Sequence, residues 1–115
     1  MDVQFCSQDR ALSLAELARQ NRRFSGTGGV SAEARPRGFQ PAFLDTRNGE
    51  THLARFADGR LAPCHVLSGL PERLVAQRDD SGEAIRLRLG VIAGFVLAGR
   101  FFTREQAAEA MRTVA

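Results

Sequence analysis

The chain has no lysine: all of its 16 basic residues are arginine. Arginine suits planar, bidentate contacts to phosphate and carboxylate. A GC-rich genome, which favours arginine codons, gives the same composition, and the spread of the arginines along the chain weighs toward that explanation. A net charge of +3 is mild. It permits nucleic-acid or acidic-protein binding without demanding either. Cysteine is scarce too, with Cys6 and Cys64 far apart in sequence. That is no disulfide framework, and a reducing compartment is the simpler expectation. The start, Met1-Asp2-Val3-Gln4, lacks a basic region followed by an apolar stretch, so no signal peptide is expected. The longest apolar run, from Leu89 to Gly99 between Arg88 and Arg100, falls far short of the roughly 20 residues a bilayer requires. No membrane association is expected, and the cytoplasm is the expected location.

With 115 residues there is room for one domain with a modest core. Ser13 and Glu16 stand at capping-box spacing, with Leu12 and Leu17 at the staple positions. A helix is expected from 14 to about 23, with Leu14, Leu17, Ala18 and Phe24 as a thin apolar stripe. The glycines and hydroxyls of 25–29 cannot hold regular structure cheaply. That stretch and the polar residues up to Gly38 read as a flexible linker or surface arm. A phosphate-cradling loop there would need a preceding strand and a Gly-Lys-Ser/Thr ending, and it has neither.

Asn48-Gly49 and Asp58-Gly59 are turn signals. They predict a three-stranded meander over 42–47, 50–56 and 60–66. A second hairpin is expected over 73–78 and 83–88, turning at Asp79-Asp80-Ser81-Gly82. In its second strand Ile85, Leu87 and Leu89 alternate with Arg86 and Arg88, giving one buried and one cationic face. Residues 90–98 suit either a helix or a buried strand. Val91, Phe95 and Ala98 share a helical face and Gly99 fits a helix stop, which favours helix. A last helix is capped by Thr103 with Gln106 completing the box, and Phe102 and Ala107 at the staple positions. The expected fold class is thus α+β: an N-terminal helix and flexible Arg-rich arm over 1–38, then a compact core over 39–115 of antiparallel β-meander and hairpins closed by a C-terminal helical hairpin.

Candidate chemistry is thin. Cys6, His52, Cys64 and His65 are the soft metal ligands, but zinc wants close ligand pairs such as Cys-x-x-Cys. Cys64 and His65 are adjacent, so on a strand they face opposite ways. No metal or other cofactor is expected, with Cys64 in the core and His65 partly exposed. For a Cys-His nucleophile, a two-residue turn at Asp58-Gly59 sets His52 opposite His65 and Leu53 opposite Cys64, turning the thiol away from the imidazole. The carboxylates sit mostly at turn positions, where aspartate is expected anyway. No catalytic residue is assigned and no enzyme is expected. The helix opening at Thr103 looks like the first helix of a helix-turn-helix, but the chain stops at Ala115 before a recognition helix.

What remains is electrostatic. Arg19, Arg22, Arg23, Arg35 and Arg37 flank the expected linker, opposed between Arg19 and Gly38 only by Glu33. Such an arm can follow a phosphate backbone or an acidic protein face. Arg86 and Arg88 on the last strand of the second hairpin extend the set. A solvated surface in an arginine-rich protein accounts for the pattern about as well.

The stretches GTGGVS (26–31), GFQPAFLDT (38–46), RFADGRLAPCHVLSGLP (55–71) and VIAGFVLAGRFFTREQA (91–107) resemble a group of small uncharacterised proteins encoded by proteobacterial plasmids and integrative elements. The resemblance implies context, not chemistry: an accessory protein of a mobile element in a bacterial cytoplasm. The resulting expectation is a non-enzymatic interaction protein that binds a protein or nucleoprotein, with inhibition of a host defence complex (anti-CRISPR-like or anti-restriction-like) as one concrete form. Direct nucleic-acid binding through the arginine arm is the alternative.

Overall fold

A computed structural model describes residues 11–114; Cys6 and the Met1–Gln4 start lie outside them. The fold is α+β with antiparallel sheets. Helix α1 spans Leu14–Phe24, a short helix α2 spans Ser31–Ala34 and runs into a 3-10 turn at Arg35–Arg37, and α3 spans Arg104–Val114. Strands β1 (Gln40–Asp45), β2 (Glu50–Leu53), β5 (Val91–Leu97) and β6 (Arg100–Thr103) form a four-stranded sheet in the order β2-β1-β5-β6, and β3 (Val75–Arg78) pairs with β4 (Ala84–Leu87) in a two-stranded sheet. No helix among the described residues is long and apolar enough to cross a membrane.

Ser13 and Thr103 both cap their helices. The Glu16 amide donates to Ser13 Oγ at 3.1 Å, and Leu12 and Leu17 are buried as the staple requires. At α3 the exchange is reciprocal: the Thr103 amide donates to Gln106 Oε1 at 2.9 Å and the Gln106 amide to Thr103 Oγ1 at 3.1 Å. The apolar stripe of α1 is narrower than expected, because Leu14 and Ala18 are exposed while Leu17 and Phe24 carry the burial.

The expected helical hairpin at the C-terminus is instead a β-hairpin followed by one helix. Residues 91–97 form a strand whose buried residues Val91, Ala93 and Phe95 recur with period two. Gly94 is bare for a packing reason: a Cβ there would run into the Phe102 carbonyl oxygen and the Phe101 ring. Gly99 does not stop a helix. With Ala98 it makes a two-residue turn in which both residues have positive φ, +53° and +80°, the geometry that matches strand twist.

The meander is also shorter than expected. Asp45 pairs with Glu50 across a four-residue loop, so the first hairpin stands. Residues 60–66 form no third strand, only an isolated bridge between Arg55 and Leu61. The Gly59 amide donates to the Phe56 carbonyl and the Phe56 amide to the Arg60 carbonyl, making a three-residue turn with Gly59 at φ +94°. The pairing ends at Ala62, and the chain bends at Pro63 and Cys64 instead of continuing as a strand, so His52 and His65 do not pair, His65 is buried and Cys64 is exposed, the reverse of the expected placement. The second hairpin forms, but β4 ends at Leu87, and the chain turns at Gly90 with φ +96°, leaving Leu89 56% exposed.

The expected flexible arm is folded. The Glu33 carboxylate accepts from the amides of Gly26 at 2.8 Å and Gly28 at 2.9 Å. Pro36 sits in the 3-10 turn, and Gly38 at φ +95° closes it. Two apolar clusters result. One joins Leu12 and Leu17 to Phe43, Leu74, Leu87 and Val91; the other joins Ala34 and Phe39 to Phe95 and Ala107.

Candidate interaction surface

Between those clusters stands His65. Its ring meets Phe43 at 5.4 Å and Phe95 at 5.2 Å between centroids, both edge to face. Both ring nitrogens are engaged: Nε2 lies 2.6 Å from the Gly94 carbonyl oxygen and Nδ1 lies 3.2 Å from Arg104 Nη2. A carbonyl only accepts and a guanidinium only donates, so Nε2 carries the proton. Burial first, and then the Arg104 charge, pull the imidazole down to about 3, so the ring is neutral at physiological pH.

Arg104, the first residue of α3, is itself buried. Its Nε donates to Gln20 Oε1 at 3.0 Å and its Nη1 to the Gly29 carbonyl at 2.9 Å. Its guanidinium also faces the Phe95 ring at 5.9 Å. Burial lowers its pKa to about 10, which leaves it charged at neutral pH. One guanidinium thus ties α1, the glycine loop and the His65 segment to α3. Beside it, between α1 and the start of α3, lies a cleft of about 340 Å³ lined by Gln20 and Arg104. Across its rim Arg23 faces Glu105 at 3.9 Å, and Glu16 lines it as well, so its acidic and basic groups balance.

This cluster leaves little for nucleophilic chemistry at Cys64. The thiol is exposed, while the neighbouring imidazole is buried with both nitrogens taken. His52 lies opposite Phe43 on β2, with Nε2 3.4 Å from Glu50 Oε1. Among the described residues no group of His, Cys, Asp and Glu is placed to hold a metal ion.

The arginines divide sharply. Arg47 bonds to the buried Asp45, holding that carboxyl below its usual range; Arg60 pairs with Asp58, Arg73 with Glu50, Arg78 with Glu72 and Arg112 with Glu109. Of the arginines singled out in the sequence, Arg19 pairs with Glu16 and Arg23 with Glu105. Arg22, Arg35, Arg37, Arg86 and Arg88 are exposed and have no carboxylate partner among the described residues. Arg86 instead donates to Gln77 and Arg88 to the Arg73 carbonyl.

Nor do they form one patch. Arg22 and Arg23 sit in the last turn of α1. Arg86 bridges Ser13 at the helix's opposite end, and a helix of this length separates its ends by about 16 Å. Arg35 and Arg37 stand on the 3-10 turn beside the end of β5, where Gly38 lies against Leu97. The structure adds one residue that sequence reasoning passed over. Arg100 is exposed, pairs with Leu97 across the β5–β6 hairpin, and lies 5.2 Å over the Phe102 ring. Nothing in sequence marked it, because the strand assignment of 91–97 is what brings it there.

Comparison with protein-family models, with curated proteins and with solved structures finds no match for this chain.

Proposed function

We propose that the chain is a non-enzymatic interaction protein of a bacterial mobile element, acting in the cytoplasm by binding a protein or nucleoprotein partner, with inhibition of a host defence complex as one concrete form. The observation that carries this reading is the set of exposed arginines without carboxylate partners, set against the many that are paired. Arginine is enriched where protein partners meet. An exposed guanidinium lacking an internal counter-charge is free to meet an external one. The mobile-element context comes from the resemblance of the sequence stretches quoted above.

The test is retention of host proteins from a bacterial lysate on the tagged chain, repeated with Arg22, Arg35 and Arg37 all changed to glutamate. A discrete protein or complex retained by the wild type and lost by the variant is the expected result. Retention of nothing beyond the tag control overturns the reading; equal retention by both removes the unpaired arginines as its basis.

Direct nucleic-acid binding is the second reading, favoured by the net charge of +3 carried wholly on arginine. Its test is a salt titration against duplex and single-stranded DNA. Absence of a complex even at low salt defeats it, because non-specific nucleic-acid binding is predominantly electrostatic.

A further inference from the structure

The end of the sheet where β5 turns into β6 gathers what the sequence keeps apart. Arg35 and Arg37 flank Pro36 in the 3-10 turn, and the Gly38 amide donates back to the Arg35 carbonyl at 2.9 Å. Gly38 lies against Leu97, and Leu97 pairs with Arg100. The Arg100 guanidinium stacks on Phe102, whose ring meets Phe39 edge to face at 5.3 Å. Phe39 directly follows Gly38 and is anchored in the second apolar cluster. The segments that carry the exposed Arg35, Arg37 and Arg100 therefore meet at the half-buried Leu97 and Phe102.

None of the three has a carboxylate partner among the described residues. The nearest acid in sequence, Glu33, is bound by the Gly26 and Gly28 amides. The support is also held in place: a proline, a closed 3-10 turn and a two-residue hairpin leave few backbone degrees of freedom to lose on association.

We infer that this end of the sheet, with Arg35, Arg37 and Arg100 around Leu97 and Phe102, is a docking surface for an acidic face of a partner protein. The inference rests on the reading of the chain as an interaction protein and names where and with what chemistry it interacts. Arginine beside aromatic and aliphatic surface is the composition of a protein interface. A nucleic acid is the poorer fit. Neutralising three phosphates gives a log–log salt slope of only about −2.7, well below that of proteins that grip duplexes by their backbones.

The experiment is a titration of the isotopically labelled full chain, followed by amide resonances, with a short Glu/Asp-rich peptide bearing phenylalanine, and in parallel with duplex DNA. The expected result is that the peptide shifts amides of residues 35–38 and 97–102. Changing Arg35, Arg37 and Arg100 together to glutamate weakens peptide binding roughly tenfold or more. Changing Arg60, Arg78 and Arg112, exposed arginines already paired with Asp58, Glu72 and Glu109, to glutamate alters net charge equally and leaves it within about twofold. Well-dispersed amide spectra establish that each variant is folded.

Shifts confined to α1 or β4, equal losses in both variants, or no binding at all overturn the proposal. Tighter binding of duplex DNA than of the peptide at this surface overturns it in favour of a nucleic acid. If a host partner is retained by the Arg35, Arg37, Arg100 variant as by wild type, the docking site fails while the interaction reading stands. If the peptide binds here as expected but no host protein is retained, the interaction reading fails and the surface stands.

Discussion

Arg104 and Arg37 carry the same guanidinium and do opposite things with it. Arg104 is buried, with neutral partners on three elements, and its charge is spent inside the fold. Arg37 is exposed on a closed turn, with no internal counter-charge among the described residues. The contrast teaches that arginine count says little by itself. The first kind of arginine should govern stability and leave binding alone, and the second should do the reverse.

The largest expected effect breaks the internal network. Arg104→Ala leaves the Gln20 oxygen, the Gly29 carbonyl and His65 Nδ1 without their donor. It should destabilise the fold by about 3 kcal/mol or more. Arg104→Met, which keeps most of the bulk, should lose less. Urea unfolding of the two variants beside wild type measures both; equal stability of Arg104→Ala and wild type would show that the network is not structural.

Next comes pH. In the unfolded chain His65 titrates at its ordinary 6.5, and in the fold at about 3. Between those values the unfolded state holds the extra proton, so stability is complete above 6.5 and falls as the solution is acidified. The slope is about 1.4 kcal/mol per pH unit, or roughly 3 kcal/mol two units down. Asp45 and Asp79, both held below their usual 3.8, enter only as the pH nears that value, so the upper part of the window isolates the imidazole. Denaturation followed from neutral pH down to about pH 4.5 should show this slope in wild type and not in His65→Gln.

A smaller gain is expected at the hairpin that carries Arg100. Ala98 sits at φ +53°, where an L side chain is strained. Ala98→Gly should stabilise by about 0.5–1 kcal/mol, read as a rise in Tm. The smallest effect belongs to the exposed set. Arg37→Glu should change stability by less than about 0.5 kcal/mol, and a larger loss in thermal unfolding would mean that Arg37 belongs with Arg104 after all.

The same division explains what could be read in advance. Helix caps, the β1–β2 hairpin and the β3–β4 pair were legible, because each is set by a few neighbouring residues. The seam around His65 was not. Its position depends on the chain bending at Pro63 and Cys64 instead of running on as a strand past Ala62, and that bend puts His65 in the core and Cys64 in solvent. Arg104 carried no signal either, since a polar residue in the first turn of a helix ordinarily faces water. Residues 91–97 misled because glycines that suit close helix packing suit close strand packing equally. Arg35 and Arg37 were recognised by charge alone, but their meeting with Arg100 follows from a β5–β6 hairpin that local pattern did not favour.

The Glu33 carboxylate held by the amides of Gly26 and Gly28 has a wider consequence. Successive backbone N–H groups in a glycine-rich turn make an anion-binding concavity, and this one is occupied from within by the chain's own acid. The loop is self-liganded. A glycine-rich stretch that looks like a vacant phosphate cradle therefore has to be read together with the few residues after it, because a carboxylate at the right distance turns a receptor into a staple. Here that staple converts a segment with the composition of a tether into the rigid base beneath Arg35 and Arg37.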